Sequence, residues 1–264
     1  MKIGDLGQRI LVAIPLAIFA CVLVALGGWP FAIGLFVLGC ICIHELCELS
    51  QARRPIRLAA FITMALVAVA AQAGGAEAVL AAAWASVPIT FALIALRTDL
   101  QGAADSVYVT VFAVVWIALG FGHAVLLREL PHGGGIVLDA LIATFAMDTG
   151  AYLGGRAFGT RPLAPRISPR KTVEGLLAGI AATILAVFAA TLYQDWLGAV
   201  DALAIALIVA GLAPMGDLFE SMIKRDSGAK DASTVLGPHG GLLDRLDGVL
   251  FSIVGVYWLW FLIV

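Results

Sequence analysis

The chain has 264 residues, of which 62% are hydrophobic and only 13% charged, with a formal net charge of -2 and a mean hydropathy of +1.03. Soluble domains carry about 25% charged residues, so this composition excludes a soluble globular protein and leaves an integral membrane protein with little mass outside the bilayer. The small net charge identifies no partner. The placement of the charges is what matters, and no nucleic-acid partner is expected from it.

Crossing a hydrocarbon core of about 30 Å takes a long apolar run. Nine candidates fall near 10–28, 30–48, 58–74, 78–96, 106–127, 136–155, 173–193, 200–222 and 248–264. The expected fold is all-α and polytopic: about nine transmembrane helices in a single transmembrane domain over 1–264. No small-residue cleavage site follows the first run, so it reads as a retained helix and not a signal peptide. With nine spans the N-terminal tail and every second loop share one side, and that side receives every Lys and Arg except Arg128. Basic residues collect on the cytoplasmic face, which places the N-terminus in the cytoplasm and the C-terminus outside.

In chain order, the second run ends on His44, Glu45 and Glu48, which lack HExxH spacing. They are expected to mark the cytoplasmic interface, with Glu45 or Glu48 paired to a nearby Arg. Cys21, Cys40, Cys42 and Cys47 lack a zinc-type pairing and read as packing residues. Arg53, Arg54 and Arg57 read as interfacial anchors. Towards the cytoplasmic end of the sixth run lies Asp148, an ionisable residue where one is costly and functional by default. Gly150 and Gly154 beside it allow a neighbouring helix or substrate to approach closely.

The basic loop that follows offers Ser168, Arg170, Lys171 and Thr172 to phosphate, with Glu174 able to pair with one of them. In the eighth run, Gly211, Pro214 and Gly216 precede Asp217. Pro within a helix removes a backbone hydrogen bond and bends the chain. The bend is expected to present Asp217 to an aqueous pocket facing the cytoplasm, the alternative being a kink that serves packing alone. In the ninth run Tyr257, Trp258 and Trp260 fit an interfacial aromatic belt.

Residues 221–247 are the densest polar stretch in the chain. Lys224, Arg225, Lys230 and Arg245 stand beside Asp226, Asp231, Asp244 and Asp247, with His239 and the Gly240-Gly241 pair between them. Basic side chains bind phosphate oxygens, and carboxylates bind hard cations such as magnesium. If the eighth helix continues through Lys224, then Asp217, Glu220, Ser221 and Lys224 share one helical face. Asp244 and Asp247 likewise share a face if the last helix begins near them. Charges so arranged beside membrane helices point to chemistry on a metal-bound polyphosphate at the bilayer surface.

The order of these residues resembles the signature of phosphatidate cytidylyltransferases, also called CDP-diacylglycerol synthases. It runs Ser221, Lys224, Arg225, Lys230, Asp231, His239, Gly240, Gly241, Asp244, Arg245, Asp247, with Gly237-Pro238 where members often read Pro-Gly. Upstream, Asp148, Ala151 and Tyr152, then Ser168, Pro169, Lys171, Thr172, Glu174 and Gly175, resemble two further family segments. There Arg170 stands where a Lys is common and keeps the charge.

The resemblance implies transfer of the cytidylyl group of CTP to phosphatidate, giving CDP-diacylglycerol and pyrophosphate. This would occur at the inner (cell) membrane, through cytoplasm-facing segments near 148–175 and 214–247. It implies Mg2+, with two cation sites whose second ion can differ, and a homodimer among membrane lipids. Asp217, Lys224, Asp244 and Asp247 are the expected catalytic residues, and Asp217, Asp244, Asp247 and Asp231 the expected metal ligands. Asp148, Ser168, Lys171, Ser221, Arg225, Lys230, His239 and Arg245 are the expected substrate-binding set. Within that set Lys171 and Ser168 suit the lipid phosphate, and Lys224 joins Arg225, Lys230 and Arg245 on the triphosphate. His239 either donates to a phosphate or fixes the Gly240-Gly241 turn, whose amides can cradle an anion.

Two other readings stay open. A secondary transporter also has kinked helices and intramembrane carboxylates, though here the charges gather at one face without paired half-repeats. An enzyme of the same fold acting on an ether-lipid phosphate would carry the same headgroup chemistry. A purely structural protein would have no reason to gather opposed charges in one loop.

Overall fold

A computed structural model describes residues 3–229, 232–233 and 240–264, with side chains from Pro15 onward. The chain forms two compact units, Met1–Glu129 with Asp231–Asp244, and Leu130–Lys230 with Arg245–Val264.

The first unit holds α1 (Ile3–Leu26), α2 (Gly28–Leu49), α3 (Arg57–Ala73), α4 (Gly75–Trp84), α5 (Ser86–Ala95), α6 (Ala103–Ala113) and α7 (Leu119–Glu129). The apolar run predicted at 78–96 is α4 and α5 in succession, and a π-helical turn over Val114–Ala118 joins α6 to α7. Helix α3 packs against α2, α4, α5, α6 and α7. Its Met64 and Val67 are fully buried with Ile43, Leu46, Ile117 and Leu127. Gly39 and Gly122 make that packing close, because a Cβ at either would strike Met64 or Val67 at 2.4 and 2.7 Å. Two buried hydroxyls return to their own helices, Thr63 donating to Ala59 O at 2.8 Å and Thr110 to Ser106 O at 2.6 Å. This satisfies a polar group that no water can reach.

The turn between α1 and α2 is held by Arg128, the one basic residue that the charge pattern puts on the far side. Its Nε donates to Val24 O at 2.8 Å, one of the carbonyls left over at the end of α1. Gly27, at φ 61, leaves room for the guanidinium, whose Nη2 lies 2.7 Å from where a Cβ would be.

The second unit holds α8 (Gly133–Phe158), a hairpin of β1 (Pro162–Ala164) and β2 (Ser168–Thr172), α9 (Val173–Ala190), α10 (Ala199–Asp226) and most of α11 (Leu243–Ile263). Helices α8 and α9 meet along a seam of small residues. A Cβ on Gly154 would come within 2.2 Å of the Ala178 Cβ, and one on Gly179 within 2.8 Å of Met147 O. The close approach expected at Gly150 and Gly154 is therefore made to a helix. Helix α10 runs on through Pro214 to Asp226, and it meets α11 where a Cβ on Gly216 would fall 2.4 Å from Asp247 O.

The architecture is all-α and polytopic, as expected. Among the described residues, seven helical stretches are long and apolar enough to cross a membrane, while Pro15–Leu26 and Arg57–Ala73 are shorter apolar helices. Leu80, Phe91, Leu185 and Leu207 are among many exposed apolar side chains, which a lipid-facing surface accommodates. The hairpin is an element that apolar periodicity did not reveal. Its strands pair Pro162 with Thr172 and Ala164 with Ser168. Pro162 and Pro169 are tolerated because both strands of a two-stranded ribbon are edges.

Candidate active site

In the second unit, the hairpin and helices α8, α10 and α11 gather the polar residues at one place. β2 presents Lys171, whose Nζ forms an ion pair with Asp217 Oδ2, both side chains being about one-third exposed or less. One turn along α10, Ser221 Oγ donates to Asp217 Oδ1 at 3.4 Å, and Lys224 Nζ donates to Glu220 Oε2 at 2.6 Å. These i,i+4 contacts follow from the unbroken helix, and they realise the shared face predicted for Asp217, Glu220, Ser221 and Lys224. Glu220 is 1% exposed, and burial of this kind calls for a partner such as that lysine.

The Gly216 contact lets α11 bring Asp247 beside this face, within electrostatic reach of Glu220 and Asp217. Asp247 is buried, and its Oδ1 accepts the Gly248 amide at 2.7 Å. Asp148, exposed on α8, stands within electrostatic reach of Asp217, Lys171 and Arg245. Arg225 reaches the hairpin, its Nε donating to Ile167 O at 3.4 Å. Ser168 opens β2 and is half-buried. The result is a group of carboxylates interleaved with lysines and an arginine at the end of the helices.

Glu174 differs from its expected pairing with the cations of β2. It accepts the Thr160 amide at 3.0 Å, the Thr160 hydroxyl at 2.9 Å, the Arg161 amide at 3.1 Å and Arg161 Nε at 2.9 Å. With Thr172, whose hydroxyl accepts the Gly175 amide at 3.1 Å, it fixes the start of α9. An acid in the first turn complements the helix dipole there. Lys171 is thereby left to Asp217.

The first unit has its own pair of acidic residues. Glu45 is 0% exposed; it accepts the Ser233 hydroxyl at 2.6 Å, the Leu242 amide at 2.9 Å and the Leu243 amide at 2.7 Å. Of the two acids expected at the interface, Glu48 is the one that pairs with an arginine, Arg57, and with Gln51, while Glu45 is buried on these donors. Helix α11 starts at Leu243, five residues ahead of the predicted run, because that carboxylate satisfies amides that would otherwise be orphaned at its start. Asp244 accepts the amides of Ala232 at 2.9 Å and Gly241 at 2.7 Å. The Gly241 amide, expected to cradle an anion, thus serves an acid of the chain itself. Lys230, Asp231 and His239 lie outside the described residues.

Among the described residues, no group of three or more His, Cys, Asp or Glu stands close enough to hold a metal ion. Magnesium needs no such cage, because it is usually held by one or two carboxylates together with substrate phosphates and water. The hard oxygens of Asp217 and Asp247, repelling each other with Glu220 beside them, have the donor chemistry for that arrangement. Glu220 is the residue that charge reading named on the α10 face without giving it a role. Its signal was its place four residues before Lys224 in an apolar helix.

The chain matches the cytidylyltransferase family over residues 7–263. A protein of Bacillus subtilis (strain 168) named phosphatidate cytidylyltransferase is 30% identical over 265 residues, covering 97% of this chain and 97% of its own. One of that name from Pseudomonas aeruginosa is 34% identical over 250 residues, 90% of this chain and 84% of its own. Another, from Mycobacterium bovis, is 40% identical over 157 residues, 58% of this chain and 50% of its own. The alignment thus spans about half the length of the mycobacterial relatives. With a match that runs nearly end to end and relatives aligned over almost their whole length, the chain belongs to the cytidylyltransferase family.

Proposed function

We propose that this protein transfers the cytidylyl group of CTP to phosphatidate, forming CDP-diacylglycerol and releasing pyrophosphate. The observation that carries the reading is the Lys171–Asp217 pair, with Ser221 on one side and Asp247 on the other. A lysine and a carboxylate held together at a membrane surface can separate onto a phosphate and a cation when both arrive. The relatives named for this reaction give the two substrates.

A phosphate oxygen of the lipid attacks the α-phosphorus of CTP, and the bond to the leaving pyrophosphate breaks in line with it. No general base is needed, because the attacking phosphate is already ionised. Two anions repel, so the protein must neutralise and orient both. Lys171 and Ser168, on the hairpin, hold the lipid phosphate. Lys224, Arg225 and Arg245 take triphosphate oxygens, and Ser221 donates to one of them. Lys230 and His239 join this set from the signature. Asp148 helps to orient Lys171. Asp217 and Asp247 would hold magnesium, which when bound would lower the charge on the phosphates; Asp244 and Asp231 join this ligand set from the signature, and a second cation, of the same or another kind, belongs to this reading. The helices form about nine spans with the N-terminus and the site cytoplasmic, in the cell membrane, as a homodimer.

The test is purified protein in detergent with labelled CTP and phosphatidate, with and without magnesium, beside Asp217→Asn. The reading requires magnesium-dependent CDP-lipid and pyrophosphate from the wild type, and loss of both in the variant. Folded wild-type protein that yields no product with phosphatidate or an ether-lipid phosphate would overturn it.

A further inference from the structure

Glu45 is an acid in the wrong place for its neighbours. It sits within α2, in a helix of apolar residues, fully buried and 197 positions from the Leu242 amide it accepts. Burying a carboxylate is costly unless hydrogen bonds replace its water. Both oxygens are engaged: Oε1 accepts Ser233 Oγ and the Leu242 amide, and Oε2 accepts the Leu243 amide. The fit extends to the adjacent residue, since a Cβ on Gly241 would lie 2.8 Å from each oxygen. The start of α11, which would otherwise attract an anion from solution, is closed by an acid supplied from within the fold.

We propose that Glu45 is a positioning residue of the cytidylyl-transfer site, acting through the Leu242 and Leu243 amides to set where α11 begins. The inference rests on the functional reading above. Asp244, Arg245 and Asp247 all lie within the first two turns of α11, so the point at which the helix starts decides where each of them falls. Ser233 makes the same carboxylate a tie for the segment leading into the helix. Asp244 adds the amides of Ala232 and Gly241, so Ala232, Ser233, Gly241, Leu242 and Leu243 each donate to one of two acids. Removing the charge of Glu45 would place an amide group against backbone N–H donors and loosen the first turn of α11.

The test uses the full chain in detergent, with Glu45→Gln, Ser233→Ala and, as a control that removes a neighbouring charge, Glu48→Ala. Half-saturating magnesium is measured together with KM for phosphatidate and hydrogen exchange of a peptide covering residues 242–250. Half-saturating magnesium does not depend on the fraction of enzyme that is active, so a loss of folded protein alone would not move it. In Glu45→Gln it should rise by about tenfold, as for loss of a group that orients ligands. KM for phosphatidate should stay within about twofold, and the Leu242 and Leu243 amides should exchange faster. Ser233→Ala should raise half-saturating magnesium by about threefold, and Glu48→Ala should match the wild type.

Unchanged magnesium dependence in Glu45→Gln overturns the proposal, whether or not exchange accelerates, because Glu45 would then serve the fold alone. If Glu45→Gln does not fold, unchanged magnesium dependence in Ser233→Ala overturns it equally. An inactive wild type would sink the functional reading and this role together, which is a different result from an active wild type with an indifferent variant.

Discussion

Two acidic groups, one in each unit, are handled in opposite ways. Around α10 the carboxylates answer side-chain cations: Asp217 meets Lys171, and Glu220 meets Lys224. At the start of α11 they answer the backbone, Glu45 and Asp244 accepting four amides and a hydroxyl between them. An ion pair of movable side chains can exchange its partners for a phosphate and a metal. A carboxylate anchored on backbone amides keeps its place, and its remaining lone pairs can still meet a cation. The two groups differ in what their carboxylates touch, a difference that residue type, which puts Asp244 and Asp217 in one class, does not encode.

The sharpest way to break that comparison is at Glu220. Its side chain is 1% exposed and that of Lys224 12%, so the pair belongs to the costly, buried kind. Glu220→Ala removes the carboxylate to which Lys224 donates and should cost about 3–5 kcal/mol of stability, seen as a large fall in Tm. Glu220→Gln combined with Lys224→Met should recover much of it, since removing both charges leaves neither uncompensated. If the double variant is no more stable than Glu220→Ala, the pair is not what holds this part of α10.

Asp217 is the next test, and activity is where it should register. Asp217→Asn keeps the shape and loses the charge, so kcat should fall about a hundredfold or more while Tm changes little. Asp244→Asn should behave differently. It should lower Tm, because the amides of Ala232 and Gly241 lose a charged acceptor. Equal thermal effects from the two would erase the distinction between acids paired with cations and acids anchored on amides.

The uneven legibility of the chain has the same origin. Apolar runs depend on composition within about twenty residues, and all nine coincide with helices, although the runs at 78–96 and 106–127 each comprise two. The shared face of Asp217, Ser221 and Lys224 follows from helical periodicity and was readable for the same reason. The small-residue approach at Gly150 and Gly154 was also visible, because only small residues permit it. The backbone partners of Glu45 were not legible because they lie almost 200 positions away, and no local pattern encodes them. The hairpin escaped because β1 and β2 are only three and five residues long, too short to show alternation. Glu174 was assigned to the nearest cations, while the turn of the hairpin returns the chain from Arg161 to its carboxylate.

Lys171 and Glu48 complete the series at its weaker end. Lys171→Met should raise KM for phosphatidate about tenfold, the scale of one lost charge-assisted contact, with kcat less affected. A larger loss in kcat than in KM would mean that Lys171 meets the transition state more strongly than the ground state, and would move it from substrate holding to catalysis. Glu48 pairs with Arg57 through side chains 39% and 37% exposed. Exposed pairs contribute about 0–1 kcal/mol, so Glu48→Ala should shift Tm by little more than the error of measurement. Glu45 and Glu48 lie three residues apart on the same helix, yet substituting the first should disturb α11 and substituting the second should not. That contrast comes from what each carboxylate touches, since residue type and position in α2 are nearly the same for both.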